Sequence, residues 1–253
     1  MKEELSAFDI LAMTGEMQSL VGGYLDKVFH WEAKNVLVRV NTQGQGKKEM
    51  VLQDMKWLYL APEKPDIPDM PSQFAVNLRK YITNARIAAV HQQEFDRIMV
   101  LDLEKGPTSY QLIMELFGDG NLILVSGGKI LNSVHSRKWR HREVRPGLEY
   151  AFPPPRFNPL RMDAPSFRKA FLGSTSDAVR TLATAINIGG QYAEETCLRA
   201  GVDKDRKAKS LSTEEVDRLN DSLTLLLQEC SSRRRPRVVL EDGRPVDVVP
   251  IPL

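Results

Sequence analysis

The residues with most chemical potential are two adjacent opposite charges, Asp96 and Arg97, in the stretch Gln92-Gln93-Glu94-Phe95-Asp96-Arg97-Ile98-Met99-Val100-Leu101. A carboxylate accepts hydrogen bonds from base amino groups, and a guanidinium clamps phosphate, takes a base edge or stacks on a base. Neighbours on a regular strand point to opposite faces. The pair can serve one partner only if the backbone is irregular there, or if the partner wraps the strand end. Otherwise it is a solvated strand start. A second set lies at His135 to Arg145, where Arg137, Lys138, Arg140, Arg142 and Arg145 face only Glu143 and Trp139 stands among them. Basic residues interleaved with an aromatic suit a phosphate backbone and a stacking base. The plainer reading is a solvated basic loop with Trp139 tucked into the core.

Composition narrows the alternatives. The chain has 35 basic and 33 acidic residues, a net charge of +2, so a nucleic-acid partner must be met by a local patch. Cys197 and Cys230 show no C-x-x-C spacing, which excludes a cysteine-based zinc site and gives no disulfide framework. His30, His91, His135 and His141 offer no ligand spacing with carboxylates, and no Ser/His/Asp set or phosphate loop occurs. No metal or cofactor is expected. No apolar run approaches the roughly 20 residues of a membrane span, and Met1-Lys2-Glu3-Glu4 is not a signal peptide. A soluble cytoplasmic chain without membrane contact is the expectation.

The elements that would position these groups are legible in outline. Ser6 to about Leu20 reads as a helix, with Ser6 and Asp9 in capping-box positions and Gly22-Gly23 as its stop. Strands are predicted at Tyr24 to Trp31, Asn35 to Val40, Glu49 to Gln53 and Trp57 to Leu60. After the Pro-rich loop from Ala61 to Pro71, Ser72 caps a second helix. Its Phe74, Leu78, Tyr81 and Ile82 should face inward, with Arg79 and Lys80 exposed as backbone-contact candidates. A meander follows, at Ile87 to His91, Arg97 to Leu103, Ser109 to Phe117, Asn121 to Val125 and Lys129 to Val134, its Leu122 to Val125 run suggesting cover on both faces. Pro146-Gly147, Pro153-Pro154-Pro155 and Pro159 mark a linker. Helices are predicted at Ser166 to Phe171, Asp177 to Ile186, Gln191 to Arg199 and Ser212 to Glu229. Between two of them, Asn187-Ile188-Gly189-Gly190 resembles a helix-hairpin-helix turn, where glycine lets the backbone amides at the next helix's N-terminus approach a phosphate. A basic turn at Arg233 to Arg237 leads into a ribbon of Val238 to Leu240 and Val246 to Val249. The predicted division is 1–160, 161–230 and 231–253, and the ending on Pro250-Ile251-Pro252-Leu253 suggests a piece of something longer.

With those segments in place, the chain resembles the amino-terminal region of the NFACT family, which includes eukaryotic NEMF and bacterial RqcH, also called fibronectin-binding protein A. The resemblance rests on Phe8-Asp9-Ile10, Leu78-Arg79-Lys80, Phe95-Asp96-Arg97-Ile98, Glu115-Leu116-Phe117-Gly118, Arg137 with His141-Arg142-Glu143, and Pro146-Gly147 with Tyr150 and Pro153-Pro154. It continues through Ile188-Gly189-Gly190, Tyr192-Ala193-Glu194-Glu195 and Val246-Asp247-Val248 to Pro250-Ile251-Pro252-Leu253. The resemblance implies an α+β fold, an antiparallel β-sandwich like the amino-terminal domain of formamidopyrimidine-DNA glycosylases, followed by a helix-hairpin-helix module. It implies binding to large ribosomal subunits obstructed by peptidyl-tRNA, and recruitment of tRNA for untemplated carboxy-terminal tailing. Asp9, Asp96 and Arg97 would be the tRNA-reading residues. Arg79, Lys80, Arg137, Lys138, Arg140, Arg142, Ile188, Gly189 and Gly190 are the candidates for nucleic-acid backbone contact. The coiled coil and RNA-binding domain that follow in full-length members are expected to lie outside these 253 residues, and much of the ribosome grip with them. A glycosylase or lyase reading fares worse, because those enzymes use an N-terminal proline where this chain has Lys2, and no cysteine set could hold their zinc. An adhesin reading has only the bacterial family name behind it. The chain is expected to be a non-catalytic RNA-binding module.

Overall fold

The computed structural model describes residues 2–68 and 70–253. The first half begins with α1 (Ala7–Met17), capped by Ser6, whose hydroxyl accepts from the Asp9 amide while Asp9 answers the Ser6 amide. A single 3₁₀ turn follows. Strands β1 (Tyr24–Trp31), β2 (Asn35–Thr42), β3 (Gly46–Gln53) and β4 (Trp57–Ala61) form one antiparallel meander. Helix α2 (Gln73–Ile82), capped by Ser72 as expected, leads to β5 (Arg86–Gln92), β6 (Ile98–Lys105), β7 (Thr108–Glu115), β8 (Asn121–Ser126) and β9 (Lys129–Ser133).

All nine strands belong to one sheet, ordered β4-β3-β2-β1-β5-β6-β7-β8-β9. The expected sandwich is thus a single sheet doubled over at β1/β5, where one register pair, Tyr24 with Arg86, joins the halves. Val28, Val38, Met50 and Leu58 from one half share a buried cluster with Val90, Leu101, Leu112 and Leu124 from the other, and Ile10, Met17, Leu78 and Ile82 of the helices close it. Gly120, in the β7–β8 turn, lies so close to the β3–β4 turn that a Cβ there would clash with the Met55 carbonyl. Ile98, Val100, Ile113, Ile123 and Val125 face the other way, under Val144, Tyr150 and Phe152. That accounts for the unbroken apolar runs, since both faces of these strands are covered.

The basic run is a short ribbon, β10 (Arg137–Lys138) with β11 (Glu143–Val144), rather than a loop. Next come α3 (Ala164–Leu172), α4 (Ala178–Arg180), α5 (Gly190–Ala200) and α6 (Thr213–Ser232), and then the ribbon β12 (Arg237–Glu241) with β13 (Arg244–Val249). Between α4 and α5 the backbone widens into a π turn, Thr181–Ala185. The helices bury Phe167, Phe171, Leu182, Tyr192, Leu219 and Leu226 in a second core, which also takes Phe8 of α1 and Phe95. Two expectations differ. Tyr81 is exposed, because Leu78 and Ile82 already fill the inner face of α2. Arg97 precedes β6 instead of opening it. Among the described residues, no helix is long and apolar enough to cross a membrane.

Candidate nucleic-acid interface

Phe95 is the anchor of the site. It is 1% exposed and meets Phe8 edge-on at 5.1 Å, while Phe8 stacks on Tyr192 at 3.7 Å. Burying that ring draws the β5–β6 turn against the helical core and leaves the next two residues at its rim. The turn is irregular: Glu94 has φ +50°, the Asp96 amide donates to the Gln93 carbonyl at 3.2 Å, and the Gln93 amide donates to Ile98 at 2.9 Å. Gln92 Nε2 ties the turn to α1 by donating to the carbonyls of Ala7 and Asp96, both at 2.9 Å. Strand alternation therefore does not apply, and Asp96 and Arg97 line one cleft.

That cleft holds about 460 Å³ between the start of α1, the β5–β6 turn, the turn before α5 and β13. Ile188 and Gly189 line it with Asp96 and Arg97. Gly189 caps α5 with φ +76°, a conformation that glycine adopts without strain, and supplies no side-chain cap. Among the described residues, the amides of Gly190, Gln191 and Tyr192 have no acceptor. A helix start with free amides attracts anions. Arg97 Nη1 forms an ion pair with Glu4, and Asp96 Oδ1 accepts from the Arg97 amide at 2.7 Å. A smaller cleft of about 300 Å³ lies beside it, lined by Phe152, Pro154 and Phe157. Asp96, Arg156 and Asn187 border both clefts.

Asp9 stands behind this wall and is 6% exposed. Its Oδ2 accepts from the Ser6 amide and hydroxyl, both at 2.6 Å, and pairs with Lys2 Nζ at 2.9 Å. Lys2 also reaches Asp247 at 3.1 Å and the Val248 carbonyl at 3.0 Å, and Gln191 donates to the other Asp247 oxygen at 3.0 Å. Burial, with Asp9 beside it, pushes the Tyr192 phenol well above its ordinary range, so it stays protonated.

A family model described as NFACT N-terminal and middle domains matches residues 6–253. The chain belongs to the NFACT family. An archaeal Rqc2 homolog, aRqcH of Methanocaldococcus jannaschii, is 34% identical over 265 aligned positions, covering 100% of this chain and 39% of the relative. The ribosome quality control complex subunit 2 of Saccharomyces cerevisiae is 33% identical over 128 positions, covering 49% of this chain and 12% of its own. The chain thus spans about two fifths of the archaeal NFACT relative. Among solved structures, the N-terminal part of the fibronectin/fibrinogen-binding protein of Streptococcus suis superposes with a TM-score of 0.77 at 20% identity, covering 99% of this chain and 93% of that one. The fibrinogen-binding protein of Staphylococcus aureus gives 0.76 at 20% identity, over 98% and 91%. Those two likenesses establish a shared NFACT fold.

Other residues expected to touch nucleic acid in this NFACT chain lie away from the cleft. Arg142 is corrected outright. It turns inward, 7% exposed at its side chain, and grips Glu115 in a bidentate pair at 2.5 and 2.8 Å, to which Tyr150 adds a third bond at 2.8 Å. Its planar group lies 4.6 Å from the Trp139 ring centroid, so Trp139 is neither in the core nor fully free. Arg137 pairs with Asp119 at 2.6 Å, whereas Lys138 and Arg140 are exposed. Arg79 is half-buried instead of exposed, because its Nε donates to the Val28 carbonyl at 2.8 Å and its guanidinium lies 5.1 Å over Phe29. Lys80 remains exposed. Lys2 entered the sequence reading only through the lyase alternative and Asn187 only through the turn before α5, while Arg156 and Gln191 were not foreseen. Only Arg156 carried a signal, a cation presented by the stiff Pro153-Pro154-Pro155 run. Among the described residues, no group of three or more His, Cys, Asp or Glu could hold a metal.

Proposed function

We propose that this chain is a non-catalytic, cytoplasmic RNA-binding module of ribosome quality control. It engages large ribosomal subunits obstructed by peptidyl-tRNA and recruits tRNA for carboxy-terminal tailing of the stalled chain. The observation that carries this reading is the convergence of Asp96, Arg97 and the uncapped start of α5 on one cleft. These groups complement an unpaired, phosphate-bearing strand. The free amides and Arg156 suit phosphate, Asp96 accepts from a base amino group, and Arg97 exchanges Glu4 for a base or phosphate. Asp9 acts from behind, holding Lys2 and with it the β13 wall. The names of the curated relatives, archaeal and yeast, support the ribosome quality control setting. Downstream coiled-coil and RNA-binding domains of the full-length protein supply the rest of the ribosome grip. The lyase alternative loses ground because Lys2 Nζ is engaged by two carboxylates and a carbonyl.

The test is fluorescence anisotropy on a panel of tRNAs, with abasic-site duplex DNA as competitor. The wild type should prefer tRNA. Asp96→Ala with Arg97→Ala should erase discrimination among tRNAs while changing the salt slope by about one or less. Equal losses on every tRNA would overturn the reading role.

A further inference from the structure

The segment Arg233-Arg234-Arg235-Pro236-Arg237 puts four arginines in five positions where α6 gives way to β12. Cations at a helix C-terminus have an ordinary role, satisfying its last carbonyls and dipole. Arg234 fills that role: its Nη1 donates to the Ser231 carbonyl at 2.9 Å, and its guanidinium occupies the space that a Cβ on Gly15 would need. The other three are left over. Arg233, Arg235 and Arg237 are exposed, and among the described residues none has a carboxylate within ion-pair distance. The nearby Glu229 is taken by Arg199 at 2.9 Å. Three unpaired guanidinium groups this close repel one another, a cost that a polyanion would relieve.

The backbone arranges them. Pro236 restricts Arg235 to an extended conformation, and the Arg235 amide is fixed to the Pro250 carbonyl at 3.0 Å. Arg237 opens β12 opposite Val249. Arg235 and Arg237 thus stand two residues apart at the entry to β12, no more than about 7 Å along the chain. The cluster contains arginine without lysine, and arginine grips phosphate by two parallel hydrogen bonds, whereas solvation alone would suit lysine equally.

We infer that Arg233, Arg235 and Arg237 form a second, sequence-independent contact for the phosphodiester backbone of RNA, separate from the cleft. The choice of RNA among polyanions rests on the function proposed above. Val238, Leu240 and Val248 are exposed on the adjoining ribbon, which makes an anionic membrane surface the competing occupant.

The experiment follows anisotropy of the 253-residue chain on a blunt RNA duplex two helical turns long, which has no anticodon for the cleft to read. Arg233→Gln, Arg235→Gln and Arg237→Gln together should weaken binding at least about tenfold at moderate salt and lower the slope of log K against log salt by about 2 to 3. The triple Arg→Lys variant should recover most of the slope but not all of the affinity. Equal melting temperatures for the three proteins establish that the fold is unchanged. Discrimination among tRNAs reads the cleft and the salt slope on the duplex reads these arginines, so a failed cleft reading leaves this result standing and the reverse also holds. A slope unchanged by the triple Gln variant overturns the inference. So does a variant that loses phosphatidylserine vesicles while keeping the RNA duplex.

Discussion

Arg142→Met removes one partner of a buried pair and leaves the Glu115 carboxylate, 2% exposed, without its cation. Breaking such a pair costs about 3–5 kcal/mol, against roughly 0–1 for an exposed one. Tyr150 would still donate to Glu115, and burial raises the phenol's pKa far enough to keep that donor protonated, so the lower end, about 3 kcal/mol, is the expectation. In a chain of this size each kcal/mol moves the melting temperature by roughly 2–4 °C, giving a fall of roughly 6–12 °C. Urea unfolding followed by tryptophan fluorescence is the assay, since Trp139 lies against the lost guanidinium. Adding Glu115→Leu should recover most of the loss, because an apolar pair of similar volume needs no counter-ion. RNA affinity corrected for the folded fraction should stay at the wild-type value. A loss below about 1 kcal/mol, or an RNA defect in a fully stable variant, would refute the assignment of Arg142 to the fold.

Gly120→Ala should destabilise by about 3 kcal/mol or more in urea, adding left-handed backbone strain to a clash with the Met55 carbonyl. Gly106→Ala, at φ +58° in open space, should cost only the strain, about 1 kcal/mol; equal losses would mean that the close approach of the two turns is unimportant. The pH dependence of α6 is also fixed in sign. The Ser212 amide, then Arg206, hold the Glu215 carboxyl below the ordinary glutamate range. A depressed folded-state pKa stabilises above the unfolded value and is lost as pH falls through the folded one. Melting temperatures of wild type and Glu215→Gln should therefore differ at neutral pH and converge as pH falls below the ordinary glutamate range. A gap that persists there would mean the cap works without its charge.

Local rules carried much of the fold and little of the site's pairing. Ser6 with Asp9, and Ser72, announced their helices because an N-cap is read within four residues. Hairpin strands were found because alternation and glycine turns are local too. Alternation gives the face of a residue but not its partner. It could not say that Arg142 points at Glu115, 27 positions upstream, or that Arg97 meets Glu4. The doubled sheet was equally invisible, since one pair at Tyr24 and Arg86 decides how two ordinary meanders face each other. The Asp96–Arg97 pair was legible as a conditional: shared use required an irregular backbone, and the buried Phe95 ring supplies it.

The Lys2 amide donates to the Val246 carbonyl at 2.6 Å, and its ammonium bridges Asp9 to Asp247. Residues some 240 positions apart thus share one wall of the cleft. Closing so large a loop comes late in folding, because its entropy must be met before the contact can reward it. While the protein is being made, the sheet and most of the helical core can settle as they emerge. The cleft cannot. A nascent copy gains the complete wall of the cleft only after β13 has left the ribosome, so a copy truncated before β13 lacks the cleft on which the proposed RNA contact depends.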